Sequence, residues 1–151
     1  LEVDTKFIEL AGEINRAMPE YVVGRVQHGL NERGRAIKGS SVLVLGVAYK
    51  RDVGDTRESP AMHILKRLRE LGADVGYHDP HVPALPETRS WPGHPEMRSE
   101  ALSAASLAKR DAVVIVTNHT HVDYDLVVTH AKLVVDARGV YRTARANVIK
   151  A

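Results

Sequence analysis

Apolar positions in the first part of the chain recur at helical spacing. Between Thr5 and Met18 they are Phe7, Ile8, Leu10, Ala11, Ile14, Ala17 and Met18, enough to cover one face of a helix. Pro19 interrupts the pattern, since it lacks an N–H and its ring crowds the preceding turn. Tyr21, Val22, Val26 and Leu30 then predict a second amphipathic helix that closes near Asn31 and Gly34. A helical pair with this much apolar surface must pack on the following domain or on another chain. Arg33-Gly34-Arg35 and Lys38-Gly39-Ser40 mark the boundary, giving a helical segment over 1–38 and a domain over 39–151.

From Val42 the pattern changes to short apolar runs alternating with amphipathic stretches. Val42–Leu45, Asp74–His78, Ala112–Val116 and Leu133–Asp136 predict strands. Pro60–Leu71, Ser103–Lys109 and Tyr124–His130 predict helices; the first has Ser59 at its N-cap, Pro60 at N1 and Gly72 just past its end. His81–Pro95 is proline-rich and aperiodic, and predicts an exposed excursion. Strands alternating with helices imply an α/β fold, a Rossmann-like doubly wound parallel sheet preceded by a helical segment.

Such sheets bind ligands beyond the carboxyl ends of their strands. That rule gathers Gly46–Asp55, His78–Asp79, Thr117–His121 and Asp136–Arg138 on one rim. The first of these joins a strand to a helix N-terminus and carries Lys50 and, just beyond it, Arg57, an arrangement suited to anionic groups. Lys50 offers a point charge and Tyr49 a ring that stacks on a base or covers a sugar. Arg57 either forks onto a phosphate or pairs with Asp52, Asp55 or Glu58 to brace the loop. Asp52 and Asp55, so close to two cations, read as structural carboxylates rather than catalytic ones. Arg138 follows the last predicted strand and can reach a pyrophosphate, or serve as a surface cation near Tyr141. Asp79 precedes Pro80, and an Asp-Pro turn accounts for it.

Gly46-Val47-Ala48 lacks the second and third glycines of a dinucleotide fingerprint, which argues against a primary NAD site here. His78, His81, His119 and His121 fall near the rim, but none has a firm ligand spacing and no metal is expected. His28, His63 and His130 fall on helices and are expected to face solvent. No Gly-x-Ser-x-Gly elbow is present.

Composition narrows this only slightly. The 151 residues suit one domain with a sizeable core, and a net charge of +2 from well-mixed acids and bases argues against a nucleic-acid stripe. There is no cysteine, so neither a thiol nucleophile nor a thiolate metal site. No apolar stretch is long enough to cross a bilayer. Leu1 in place of Met suggests a piece excised from a longer protein.

Gly46-Val47-Ala48-Tyr49-Lys50, followed by Asp55-Thr56-Arg57-Glu58-Ser59-Pro60, resembles the start of the C-terminal domain of the UDP-glucose/GDP-mannose dehydrogenase family, whose pattern is Gly-x-Ala-[Tyr/Phe]-Lys and then Asp-x-Arg-x-Ser-Pro. Thr5–Met18 is similar to the central helix that joins the two halves of these enzymes and forms much of their dimer contact. Members oxidise the C6 hydroxyl of a nucleotide sugar to a carboxylate with two NAD, through a cysteine thiohemiacetal. The resemblance implies that Tyr49 and Lys50 contact a UDP-sugar, that Arg138 contacts substrate phosphate and that Arg57 reaches the NAD pyrophosphate. It also implies a cytoplasmic homodimer serving polysaccharide biosynthesis, with NAD held mainly by a domain outside this sequence and with no catalytic residue in the chain. Gly54–Met62 and Thr117-Asn118-His119 look more like UDP-N-acetylglucosamine 6-dehydrogenases than UDP-glucose dehydrogenases. The alternatives are a nucleotide-binding or dimerisation module without chemistry.

Overall fold

Five parallel strands lie in the order β2-β1-β3-β4-β5: β1 (Ser41–Leu45), β2 (Asp74–His78), β3 (Ala112–Ile115), β4 (Val134–Asp136) and β5 (Val148–Lys150). The computed structural model of the chain describes residues 2–151, with side chains from Thr5 onward; Leu1 lies outside the described residues. Helices α1 (Glu2–Asn31), α2 (Pro60–Glu70), α3 (Ala104–Ala108) and α4 (Tyr124–His130) complete the fold. Alternation along each strand sends side chains to opposite faces. Val42 and Val44 of β1 and Val114 of β3 join α1 and α2 in one core, around Val26, Leu30, Met62 and Leu65. Leu43, Leu45, Val113 and Ile115 meet Leu107 and Val127 of α3 and α4 in the other. Central strands apolar on both faces are what a doubly wound parallel sheet requires, and the expected Rossmann-like α/β architecture stands.

Three elements differ from the sequence reading. The pair of helices broken at Pro19 is one helix of 30 residues, with Pro19 buried inside it. An interior proline costs about 3 kcal/mol. Val22, Val23, Val26 and Leu30 are nearly fully buried on the sheet and α2, at about 1.5–3 kcal/mol each. Burial wins, and the helix continues through the proline. Contact with the sheet is close: a Cβ on Gly29 would stand 2.8 Å from Leu133 Cδ2 and 2.9 Å from Ile149 Cδ1.

The sequence pattern predicts no strand at β5. It is three residues long and only half-buried, so it carries little apolar signal, and pairing with β4 defines it. The excursion His81–Pro95 is not wholly exposed either. Val82 and Leu85 are buried, Leu85 N–H donates to Met97 O, and Tyr77 Oη donates to Val82 O at 2.9 Å. Hydrogen bonds across the excursion replace the periodicity it lacks.

Candidate functional site at the carboxyl rim

Strand register brings Leu45, His78, Ile115, Asp136 and Lys150 to one level, so the segments that follow β1, β2, β3 and β4 share the rim. Between β1 and β3 the connections turn to opposite sides, and the loop 46–59 leaves there. Gly46 begins it with φ +80°, its N–H donating to His78 O and its α-carbon against the carbonyl of Thr117. Only glycine meets both conditions.

The loop is then fixed point by point from neighbouring strand ends. Asp79 Oδ2 accepts the N–H groups of Val47 (2.8 Å) and Ala48 (3.1 Å), and Thr117 Oγ1 donates to Ala48 O at 2.6 Å. Tyr49 N–H donates to Asp55 O and closes the bend. At its apex Asp52 has φ +61°, accepts from Thr120 N–H and Oγ1, and gives its own N–H to His119 Nδ1 at 2.9 Å. Hydrogen bonds to Thr120 hold the Asp52 carboxyl below its ordinary range.

Tyr49 and Lys50 stand on this frame in the open. Tyr49 is 44% exposed, and Lys50 Nζ lies 5.2 Å from the centre of its ring. Contact with Tyr49 raises the Lys50 pKa, so the ammonium persists across physiological pH. Arg57 is exposed, and of its possible carboxylate partners it takes Asp55, with Nε 3.0 Å from Oδ1 and Nη2 2.7 Å from Oδ2. That pairing drives the Asp55 carboxyl down to about 2. Beside Arg57 a cleft of about 440 Å³ opens, lined by Thr56, Glu58, Glu87, Thr88 and Arg89 among others. Nothing in the sequence singled out 87–90 as its far wall. The larger depression, about 570 Å³ between Gly24 and Lys38, lies at the other end of the sheet and shares no residue with the rim.

Arg138 is exposed beyond β4, its N–H donating to the buried Asp136. The same carboxylate accepts Tyr141 N–H and Lys150 Nζ. Burial pushes Asp136 up, but these donors outweigh it and keep it ionised. Strand β3 separates Arg138 from the Lys50 loop, so at a spacing of ~4.8 Å per strand their strand ends are about 10 Å apart. Tyr49, Lys50 and Arg57 therefore form one group, and Arg138 a second group along the same rim.

Of the four rim histidines only two come together. His78 turns to Glu100 O and His121 faces solvent, whereas His81 and His119 meet with ring centres 4.7 Å apart and planes tilted by 55°, beside Asp52. His119 is fully buried, and both its nitrogens are engaged, Nδ1 by Asp52 N–H and Nε2 by Asp79 Oδ2 at 2.9 Å. No lone pair of that ring is left for a cation. His28, His63 and His130 are exposed on their helices. Asp79 does form the expected turn, accepting His81 N–H, yet it is also the buried anchor of the loop, a role its pairing with residues 30–40 positions away concealed.

Residues 43–143 match the model of the UDP-glucose/GDP-mannose dehydrogenase family, UDP binding domain. Over 116 residues the chain is 35% identical to UDP-N-acetyl-D-mannosamine dehydrogenase of Methanococcus maripaludis, covering 77% of this chain and 24% of the relative. Over 146 residues it is 30% identical to NDP-N-acetyl-D-galactosaminuronic acid dehydrogenase of Ralstonia nicotianae, covering 93% and 31%. The solved UDP-D-ManNAc dehydrogenase from Pyrococcus horikoshii superposes with a TM-score of 0.74 over 95% of this chain and 32% of its own, at 24% identity, a likeness of fold. The chain thus spans a quarter to a third of the length of these relatives.

Proposed function

The chain belongs to the UDP-glucose/GDP-mannose dehydrogenase family and carries its UDP-binding domain, and from that premise we propose that the rim loop holds the nucleotide of a UDP-sugar. Lys50 supplies the charge for a phosphate, Tyr49 covers the sugar or base, and Arg138 takes a second phosphate contact further along the rim. The observation that carries this reading is the loop itself: an exposed Tyr49–Lys50 pair on a backbone pinned from beneath by Asp79, Thr117 and His119. A preformed loop presenting an exposed ammonium, that of Lys50, is what anion recognition needs.

The enzyme to which this domain belongs is proposed to oxidise the C6 hydroxyl of the sugar to a carboxylate, with NAD as hydride acceptor. Around Arg57 there is no glycine-rich turn, and its guanidinium sits on Asp55, so it suits an edge contact with the NAD pyrophosphate rather than the main cradle. NAD supplies the oxidation; this chain contributes substrate phosphate contacts and one cation. With no cysteine in the chain, no thiohemiacetal forms on it. Residues 39–151 are the proposed UDP-binding unit and 1–38 the proposed dimerisation helix. The proposed setting is the cytoplasm, in polysaccharide biosynthesis; among the described residues no helix is long and apolar enough to cross a membrane.

For the sugar we favour a UDP-N-acetylhexosamine, with UDP-N-acetylglucosamine first. Thr117-Asn118-His119 supports it, as do the N-acetylated sugars in the names of both relatives. Calorimetry with UDP, UDP-N-acetylglucosamine, UDP-glucose and NAD tests the whole reading. Heat with UDP and UDP-sugars is expected. No heat with any of the four would leave a dimerisation module in its place.

A further inference from the structure

One imidazole ties the two ends of the rim loop together. Because Asp52 N–H donates to His119 Nδ1, the ring proton of neutral His119 sits on Nε2, from which it is donated to Asp79 Oδ2. That same oxygen accepts Val47 N–H and Ala48 N–H. His119 thereby connects the loop's first residues to its apex, with Tyr49 and Lys50 between. At the apex Asp52 keeps a left-handed backbone unusual for a residue with a side chain, and Thr120, next to His119, grips its carboxylate. The ring lies at the polar boundary: its nitrogens meet backbone and carboxylate, and Tyr124 Oη donates to its carbonyl at 3.2 Å.

We propose that His119 is the positioning residue of the UDP site, setting the shape of the loop that carries Tyr49 and Lys50. The proposal rests on the reading that this loop holds UDP. His119 touches no ligand. It acts by removing the freedom that the stretch between Ala48 and Asp52 would otherwise have, so that the Lys50 ammonium meets a phosphate without first being ordered. Two substitutions separate its arms. His119→Asn keeps an acceptor where Nδ1 stands, and so keeps Asp52, but falls short of Asp79. His119→Ala loses both.

The test uses the 151-residue chain with UDP as probe, reading UDP affinity by calorimetry, Asp52 amide hydrogen exchange by NMR and thermal midpoint. His119→Ala is expected to weaken UDP about tenfold, the equivalent of one hydrogen bond's net worth, and to speed exchange at Asp52. His119→Asn is expected to recover most of both while its thermal midpoint stays below that of the wild type, a split that a purely structural role would not produce. Unchanged UDP affinity in a folded His119→Ala protein overturns the proposal, as does an Asn variant no better than Ala. Should neither variant fold, imidazole nitrogen shifts of the wild type decide it: a proton on Nδ1 rather than Nε2 overturns it. A wild type with no UDP affinity removes the nucleotide reading instead, and the Asp52 exchange rates then show separately whether His119 sets the loop.

Discussion

Arg57 and Asp55 close a two-point ion pair across a single intervening residue, with Nη2 2.7 Å and Nε 3.2 Å from the same Oδ2. Arg57 N–H also reaches Asp55 Oδ1, so the carboxylate caps the turn and holds the guanidinium together. A phosphate approaching Arg57 must share it with, or take it from, Asp55.

The ion pair makes a pH prediction. With Asp55 held down to about 2 against an ordinary 3.8, the pair supports the folded loop fully above 3.8 and is lost as pH falls toward about 2. A carboxyl-carbon NMR titration is expected to place the Asp55 midpoint near the lower figure. Arg57→Ala should return it toward 3.8; a midpoint indifferent to Arg57 would show that the pair does not persist in solution.

Lys50→Ala should weaken UDP binding by about one to two orders of magnitude, the value of a charge-assisted contact at roughly 1.5–3 kcal/mol. The side chain is exposed, so the fold is unaffected. Lys50→Arg should recover only part of the loss, because a planar fork does not replace a compact ammonium. Calorimetry on a folded Lys50→Ala protein with unaltered affinity would leave this residue as an ordinary loop cation.

Gly46→Ala should destabilise the protein by at least about 1–2 kcal/mol from the left-handed backbone alone. The contact of the added methyl with the Thr117 carbonyl adds to that, since backbone cannot rotate away. Urea unfolding measures it. A neutral Gly46→Ala would mean the loop leaves β1 by another path.

Tyr77 predicts the alkaline limit. Burial pushes its phenol up to about 12 from 10.0. The folded state therefore binds the proton more tightly, and this contribution is complete below pH 10.0 and lost as pH rises toward about 12. Tyr77→Phe should lower neutral stability by about 1 kcal/mol through the orphaned Val82 carbonyl, and flatten the decline over that window. An identical alkaline decline in wild type and variant would assign it elsewhere.

How far this could be read from sequence depends on range. Strands β1 to β4, α2 with its Ser59 cap, and the rim loop all announce themselves within a dozen residues, through apolar runs and local turn chemistry. What was hidden is settled by partners distant in the chain. Pro19 signals a break, and only the sheet beneath Val22, Val26 and Leu30 overrules it. Val148–Lys150 is too short to carry a pattern and is a strand because β4 is there. His119 looked like one of several rim histidines until Asp52 and Asp79 closed on its two nitrogens.

The unbroken helix also narrows where self-association can occur. Of the stripe expected to drive it, Val22, Val26 and Leu30 are already covered by the chain's own sheet and α2, while Phe7, Ile8, Leu10, Ile14 and Tyr21 remain 52–72% exposed. Phe7→Glu with Ile14→Glu should leave a monomer by sedimentation where the wild type associates; a wild type that stays monomeric over a wide concentration range would remove the interface.

Because α1 runs through Pro19 without a break, its uncovered half continues the helix that lies on the sheet. Phe7 stands 15 positions before Val22, so a change in pitch of about ten degrees at the sheet would carry it roughly 4 Å, at a rise of ~1.5 Å per residue. The covered half of that helix is tied to the rim: Arg25 Nε donates to Lys150 O, and Lys150 Nζ donates to the Asp136 carboxylate that holds Arg138. A partner seated on the exposed half of α1 would hold a helix whose other half is bonded to the strand ends beside Arg138.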